Sequence, residues 1–317
     1  GNGEIDGAVY LVANQMGRAL ALEPFIPTVV LGIYALKTLD VDGSHAALLQ
    51  DVADGKVILG WVDNKQTPTR SNDQIVAISK NGSWSLSGFS KLVPYGDLAD
   101  KLLVVAKSGE EEALFMVASK ADGVRRERRY LQNATPAAEI TFDNATAIQL
   151  GAASVARKVI NTLRARAGAA ICANAVGLME GVLSATIAYV KTRVAFGRPL
   201  SQNQAVQHRV AEMYIALEKS RSLALASHAI AHSENVNSGA LDLAKARLII
   251  GKSARLIAQQ GIQLHGALGM TEECNVGHYL RHQLVLEQLY GDTEYHIDCL
   301  VKEEERLLGV RHNERVH

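Results

Sequence analysis

The sequence predicts an α+β protein with N-terminal helices, a central antiparallel β domain and a C-terminal four-helix bundle. Two observations predict this order. Apolar residues recur every three or four positions at both ends of the chain, as on one face of an α-helix. In the middle they alternate in short segments that are bounded by turn-forming residues, which is typical of β-strands. The predicted domains cover residues 1–55, 56–146 and 147–317.

The first helical region is predicted from a face that carries Val9, Val12, Met16 and Leu20. The same spacing resumes after two prolines near position 25, and a third short helix is predicted to end at Gly55. Because a glycine after the last periodic residue commonly ends a helix, the helical domain is expected to stop there.

The β domain is predicted from six short segments rich in β-branched and aromatic residues. Asn81 and Gly82 form a dipeptide that favours a tight hairpin turn between two of these segments. The basic run at 125–129 is predicted to be a solvated loop or strand end. The expected strands are 57–61, 74–78, 83–86, 101–106, 113–117 and 138–143.

The last part of the chain is predicted to form four long antiparallel helices with short connections. Breaks are expected at Pro199, at residues 238–239 and at the corner 266–269. The predicted helices are roughly 150–191, 202–234, 240–264 and 276–308.

The composition favours a soluble cytoplasmic protein. Thirty-three basic residues balance thirty-three acidic ones, so no global field draws nucleic acid or an anionic membrane. Hydrophobic residues make up 48% of the chain, but neither a secretory signal nor a membrane span is predicted. Three cysteines without ligand spacing predict neither a metal site nor a disulfide framework.

Two motifs carry chemical information. Residues 193–200 read RVAFGRPL, and residues 204–208 read QAVQH; residues 263–271 read QLHGALGMT. Glycine lets a backbone approach a ligand, and a guanidinium binds phosphate oxygens with fixed geometry. The second motif is also compatible with an ordinary helix–loop–helix corner, with Gly266 as C-terminal cap and Thr271 as N-cap.

Together with the helix–sheet–bundle order, these motifs resemble the acyl-CoA dehydrogenase family of flavoproteins. The first motif is similar to the family's R-x-x-F-G-x-P-L with Q-x-x-Q-H behind it, and the second to Q-L-H-G-G-x-G-M-T. The segments GFSK at 88–91 and ADKLLVVA at 99–106 also resemble the family. Ala267 stands where the family has its second glycine.

The resemblance implies an FAD cofactor that is shared between subunits. It implies that some residues of this chain reach a neighbouring subunit's flavin, with an arginine and a glutamine on the pyrophosphate side and a phenylalanine packed beside them. These predicted cofactor-binding residues are Arg193, Phe196, Leu200, Gln204, Gln263, Gly266 and Gly269.

The family's catalytic base is missing from both of its usual places. The family removes an α-proton from an acyl-CoA with a glutamate, found either in a Y-E-G-T segment or ten residues before a G-L-M segment. Here the first segment reads YGDT, with Gly291 at the base position. Ten residues before the glycine of the G-L-M segment at 177–179 stands Ala167. Asp292 is a weak substitute, because one residue along a helix means a rotation of about 100°. Glu180, His208 and His265 are interpreted as structural.

The family's T-E-P stretch, which lines a chain's own flavin, is also lost within residues 60–73, although Thr293 survives. Residues lent to a neighbour therefore remain, while those of the chain's own active site are degraded. The leading hypothesis is a non-catalytic subunit that pairs with a catalytic acyl-CoA dehydrogenase chain in an α2β2 heterotetramer, with an acyl-CoA at the partner's site. The family analogy adds a steroid side-chain thioester as a candidate for that acyl-CoA. Two alternatives are a self-sufficient homomeric dehydrogenase with a displaced base and a non-enzymatic scaffold.

Overall fold

The computed structural model describes residues 2–39, 43–66, 74–80, 82–195 and 197–308, and these ranges confirm the predicted α+β class. The helices are α1 (Asn2–Ala19), α2 (Tyr34–Leu39, continuing a π-helix at Ile26–Ile33), α3 (Ala46–Ala53), α4 (Ala153–Thr192), α5 (Gln204–Ala231), α6 (Ala240–His265), α7 (Asn275–Leu286) and α8 (Thr293–Leu308). The strands are β1 (Leu59–Val62), β2 (Val76–Lys80), β3 (Ser83–Pro94), β4 (Lys101–Ser108), β5 (Glu111–Ala118), β6 (Val124–Tyr130), β7 (Pro136–Leu150), β8 (Val194–Ala195) and β9 (Arg198–Pro199).

Helix α1 lies directly against the middle of α4, and two glycines allow the backbones to touch. A Cβ added to Gly17 would lie 1.9 Å from the carbonyl oxygen of Asn174. A Cβ added to Gly177 would lie 1.7 Å from the carbonyl oxygen of Asn14. Because no side chain fits at either position, the two helices hold a fixed and very short separation.

The strands β4, β2, β3, β7 and β5 form a closed circuit of pairings, and β1 joins it beside β4. Most pairs are antiparallel, as predicted, and Lys80 faces Ser83 across the expected hairpin. However, β1 and β2 both run parallel to β4, so the sheet is mixed. One core fills the space inside the strands, around Phe115 and Ile140. A second core joins the outer side of β4 and β5 to the helices.

The prediction of a solvated loop or strand end at 125–129 was wrong in the secondary structure, because this run is the centre of edge strand β6, although most of its side chains are exposed as expected. It pairs with β7 over seven residues, from Val124 opposite Phe142 to Tyr130 opposite Pro136. One inward guanidinium, that of Arg126, donates to the carbonyl oxygens of Gly96, Asp97 and Ala99. The other charges face solvent, where they protect the strand edge from pairing with another chain.

Helix α4 is the centre of the bundle and contacts α1, α5, α6 and α7. By length and composition it could cross a membrane, but 78% of its most apolar window is buried in this fold. It is therefore explained as the core helix of the bundle. The last strand, β7, runs to Leu150, four residues beyond the predicted domain boundary.

The prediction of one continuous helix over 276–308 was also wrong, because the chain breaks between α7 and α8. Tyr290 and Gly291 have φ angles of 55° and 97°, which an α-helix cannot contain. The guanidinium of Arg247 on α6 holds this break by donating to the carbonyl oxygens of Leu289 at 2.9 Å and Gly291 at 2.8 Å. The start of α8 is thus set by a left-handed turn.

Candidate functional site

The first motif lies where α4 ends. Arg193 has extended backbone angles and closes the helix, and its carbonyl oxygen accepts from Leu200 N at 2.9 Å across the small β8–β9 hairpin. The Arg193 side chain is exposed and makes no hydrogen bond or ion pair with another described residue. Gln204 is exposed at the first turn of α5, and Leu200 is half-buried. Phe196 lies outside the described residues.

The second motif lies where α6 ends. Gly266 is exposed with φ 61°, and a Cβ added there would meet nothing within 4 Å, so its backbone is open to a ligand. Gln263, one turn earlier, is also exposed. Gly269 is buried, and a Cβ there would lie 2.7 Å from the carbonyl oxygen of Ile262. Gly269 is thus required by packing, and its contact with the cofactor stays a prediction. Thr271 donates to the carbonyl oxygen of Leu268 instead of capping α7.

A stacked pair of rings joins the two motifs. Tyr189, in the last turn of α4, stacks on His265, in the last turn of α6, with 4.3 Å between ring centroids and 20° between planes. The backbone N–H of Arg193 donates to the carbonyl oxygen of Tyr189 at 2.8 Å. His265 is buried, and its Nδ1 contacts the carbonyl oxygen of Gly261 at 2.8 Å. His265 is therefore structural, as interpreted from the sequence, and the stack holds the end of α4, which carries Arg193, against the end of α6, which carries Gln263 and Gly266. We call this junction of helix ends the lending corner.

Tyr189→Leu is expected to weaken flavin retention by this corner about tenfold, because it removes an aromatic stack worth about 0.5–1.5 kcal/mol. Tyr189→Phe keeps the ring and is expected to behave like the natural chain. Flavin absorbance after gel filtration measures the effect in the assembled protein. Equal flavin loss from both variants would assign the effect to the Tyr189 hydroxyl instead of the ring.

Neither predicted base position holds a carboxylate that could act on a substrate. Ala167 is fully buried on α4. At Gly291 a Cβ would lie 2.7 Å from the Tyr295 ring and 3.0 Å from Nε2 of His296. The weak candidate Asp292 is half-buried, and its Oδ1 accepts from the Tyr295 N–H at 2.7 Å. Asp292 is therefore the N-terminal cap of α8, and the proposed helical rotation does not apply, because residues 290–292 are not helical.

The cavity between the sheet domain and α1, α4 and α7, here called the sheet-side cleft, is nearly filled. Its volume is about 40 Å³, room for little more than one water molecule. Tyr95 of the sheet domain and Tyr290 before α8 both line it and both are buried. Burial raises the pKa of Tyr95 to about 12, so both phenols stay neutral.

One wall of the sheet-side cleft is held by a buried chain of polar groups. Asn133 Nδ2 lies 2.8 Å from Nδ1 of His282, and Nε2 of His282 lies 3.1 Å from Oδ1 of Asn174. Because the amide of Asn133 donates and the oxygen of Asn174 accepts, His282 must be neutral with its proton on Nε2. These three hydrogen-bonded side chains join the sheet domain, α7 and α4.

The stability of the fold is expected to fall as the pH drops from 6.5 towards 4. Burial lowers the pKa of His282 to about 4 and that of His296 to about 3. In this interval the unfolded chain binds protons at these histidines while the folded chain does not. Each histidine therefore lowers the free energy of unfolding by up to about 1.4 kcal/mol per pH unit. Urea unfolding at pH 7, 6 and 5 measures the slope. His282→Asn should make the free energy of unfolding depend less steeply on pH. His208→Asn, at an exposed position, should leave this dependence unchanged.

A buried ionic cluster fixes the end of β1 to α4, close to the altered T-E-P stretch. Arg164 donates to both oxygens of Asp63, at 2.8 and 2.9 Å, and to both oxygens of Glu112, at 3.0 and 3.1 Å. Burial alone would lower the pKa of Arg164, but the Asp63 charge raises it, so the guanidinium stays charged. Lys65 adds a contact to Glu112 at 3.0 Å. Residues 67–73 of the stretch lie outside the described ranges.

The lending corner and the sheet-side cleft differ in whether FAD fits them. The lending corner offers a guanidinium that has no partner among the described residues and an exposed glycine backbone, which suit a pyrophosphate. The sheet-side cleft has no space for a flavin ring, because tyrosines and a buried polar chain occupy it.

Sequence reasoning missed Tyr95, His282, Arg164 and Arg247, whose roles depend on contacts between elements distant in the chain. Glu180 is structural, as interpreted, since it accepts from Arg221.

Comparison with known proteins agrees with this geometry. Residues 151–304 match the family described as acyl-CoA dehydrogenase, C-terminal domain. Over 295 residues, which are 92% of this chain and 83% of the relative, the sequence is 30% identical to acyl-CoA dehydrogenase FadE28 of Mycobacterium tuberculosis (strain ATCC 25618 / H37Rv). The chain belongs to the acyl-CoA dehydrogenase family. It also matches the acyl-CoA dehydrogenase of Bacillus subtilis (strain 168) with 27% identity, covering 69% of this chain and 60% of that one.

Solved structures of the family confirm the fold. The Tcur3481–Tcur3483 steroid ACAD G363A variant superposes with a TM-score of 0.84 and 25% identity, over 96% of this chain and 82% of that one. The ChsE4–ChsE5 complex from Mycobacterium tuberculosis gives 0.81 and 24%, over 93% and 79%. A glutaryl-CoA dehydrogenase from Mycobacterium smegmatis in complex with FADH2 gives 0.80 and 22%, over 91% and 75%. FAD is the cofactor of this family of oxidoreductases.

Proposed function

We propose that this chain is the non-catalytic subunit of a heteromeric acyl-CoA dehydrogenase that forms a trans-2-enoyl-CoA. Arg193, Gln263 and the open backbone at Gly266 contact FAD held mainly by a catalytic partner. When bound, FAD would supply the hydride acceptor for this α,β-desaturation, and the partner would supply the base for the α-proton. The complex is an α2β2 heterotetramer of the cytoplasm.

The contrast between the lending corner and the sheet-side cleft carries this proposal. Arg193 is exposed and without a described partner, and an arginine in this state beside an open glycine is suited to a phosphate supplied from outside the chain. The sheet-side cleft holds only about 40 Å³, and the two base positions, Ala167 and Gly291, are buried and carry no carboxylate. A chain of this kind is complete only beside another subunit.

Two similar structures support a partner of a different sequence. The ChsE4–ChsE5 structure is described as a complex, and the steroid ACAD variant is named with two components. A steroid side-chain thioester is accordingly the substrate class that we propose for this chain's complex. Such a substrate would lie at the partner's site, since the described cleft of this chain is too small for it.

The proposal is tested by co-expressing this chain with acyl-CoA dehydrogenase chains that retain the glutamate of a Y-E-G-T segment. The active pair should lose turnover when that glutamate becomes glutamine, whereas Asp292→Asn in this chain should leave kcat nearly unchanged. Turnover that disappears with Asp292→Asn, in a protein that still folds and assembles, would favour a self-sufficient enzyme. A stable complex without flavin would favour a scaffold.

A further inference from the structure

Helix α5 carries apolar residues on its solvent-facing side as well as on its buried side. Met213, Leu217 and Ala224 are buried against the bundle. On the outward side, Ile215 is 67% exposed, and Leu225 is exposed as well. A helix that is apolar all round is typically covered all round. The outward side of α5 is therefore expected to contact another protein surface.

Helix α6 widens this surface, because α5 and α6 form an antiparallel hairpin. Arg209, near the start of α5, donates to Oε1 of Gln260, near the end of α6. At equal rise per residue, this pairing places the exposed residues Leu256 and Ile249 of α6 on either side of the level of Ile215. These three residues form the apolar centre of an outward surface of α5 and α6, which we call the hairpin face.

The charges beside Ile215 are complementary to a second copy of the same face. Glu212 and Lys219 are exposed on α5 and lie about two turns apart, on the same side of the helix. Neither forms an ion pair with any residue in the part of the chain that the structure describes, whereas Glu218 between them pairs with Arg221. A twofold axis beside Ile215 would place Glu212 of each copy opposite Lys219 of the other. Because a twofold repeats each contact, two ion pairs would flank one apolar centre.

The hairpin face is large enough for a stable contact. Helix α5 has 28 residues and α6 has 26, so the hairpin is about 40 Å long. Two neighbouring helices are about 20 Å wide. The resulting area of roughly 800 Å² is what each partner contributes to a standard interface. The ends of the face are polar, with Gln204 and Gln263 at one end and an Asp242–Lys245 pair at the other, as in an interface with a polar rim.

We propose that two copies of this chain pack through their hairpin faces, with α5 antiparallel to α5 of the second copy and Ile215 on the twofold axis. Ile249 and Leu256 are buried in this dimer, and Glu212 pairs with Lys219 of the other copy. The lending corner lies at one end of the face, where α5 begins and α6 ends, so it stays open to a subunit of a different sequence. The dimer is compatible with the proposed heterotetramer, which contains two copies of this chain, but it does not require the catalytic partner.

Sedimentation equilibrium of the full chain, purified alone and measured over a concentration series, tests the dimer. The natural chain should sediment as a dimer. Ile215→Asp should raise the dissociation constant at least about a hundredfold, because each copy loses a central apolar contact and places a carboxylate on the axis. Ile297→Asp is the matched control, since it changes an exposed isoleucine of another helix, α8, and it should leave the dimer unchanged.

Charge reversal tests the antiparallel geometry and identifies the occupant of the face. Glu212→Lys and Lys219→Glu should each weaken the dimer about three- to tenfold, because surface ion pairs contribute modestly and each is formed twice. The double variant should restore the dimer, since both charges are reversed in both copies. A different protein on this face would not be matched by the double variant, because its own charges stay unchanged.

Circular dichroism establishes that each variant is folded, and if Ile215→Asp fails to fold, the charge-reversal series decides. The proposal is overturned if the natural chain is a monomer at every concentration, if folded Ile215→Asp dimerises as tightly, or if the double variant stays as weak as the single ones. A monomeric natural chain whose binding to a catalytic acyl-CoA dehydrogenase chain depends on Ile215 would assign the face to that partner instead.

Discussion

Arg193→Ala is expected to strip most of the FAD from the assembled complex. Hydrogen bonds to charged groups contribute about 1.5–3 kcal/mol each, so losing the guanidinium should weaken flavin binding by roughly ten- to a hundredfold. The fold should be unaffected, because the side chain is exposed and makes no contact with a described partner. Flavin absorbance per complex after gel filtration measures the loss.

Arg198→Ala is the matched control for this variant. It removes a guanidinium from the same hairpin, but that group already donates to Oδ1 of Asn203 at 2.6 Å. Flavin content should therefore stay near that of the natural chain. If Arg193→Ala retained full flavin while assembly was intact, the lending corner would have no role in cofactor binding.

Gly291→Glu is expected to destabilise the chain without providing a catalytic base. The new side chain would have to adopt φ 97° and displace the Tyr295 ring and His296. Overpacking typically costs about 1–3 kcal/mol, and a strained backbone adds about 1–3 kcal/mol. The unfolding midpoint should thus fall by roughly 3–9 °C for a chain of this size, and acyl-CoA should still not be oxidised by this chain alone.

Gly109→Glu separates the two causes of this destabilisation. Gly109 also has a left-handed backbone, with φ 62°, but a Cβ there would meet nothing within 4 Å. The Gly109→Glu variant should therefore show only the loss of stability that comes from backbone strain. Equal losses in the two variants would mean that the space beside Gly291 is less filled than the structure shows, and turnover by Gly291→Glu alone would mean that this chain owns a working cleft.

The fold class was predictable because apolar spacing changes twice along the chain and the motifs bound the helices. Local sequence also predicted the hairpin that joins Lys80 to Ser83 and the helix end at Gly266. The break between α7 and α8 was missed because its cause lies on another helix. Arg247 holds the carbonyl oxygens of the turn from α6, and local propensity around Tyr290 does not contain that information. Likewise, β6 forms because β7 offers it a complete ladder, which overrides its charged composition.

The candidate site was predictable where motifs are contiguous and unpredictable where contacts join distant segments. Arg193, Gln263 and Gly266 were found from two short stretches of sequence. Tyr95 and Tyr290 together fill the sheet-side cleft, and Arg164 pairs with Asp63 in the ionic cluster between β1 and α4; both pairs are separated by about a hundred residues or more. The packing role of Gly269 was missed for the same reason, since its need for a hydrogen at Cα comes from the α6 backbone.

Native mass spectrometry of the co-purified complex, together with flavin quantification, tests the central claim most directly. With one lending corner per partner site and a closed cleft in each copy of this chain, we predict two FAD in an α2β2 tetramer and none in this chain purified by itself. One FAD per polypeptide, or flavin that this chain alone retains and that an acyl-CoA reduces, would contradict the account.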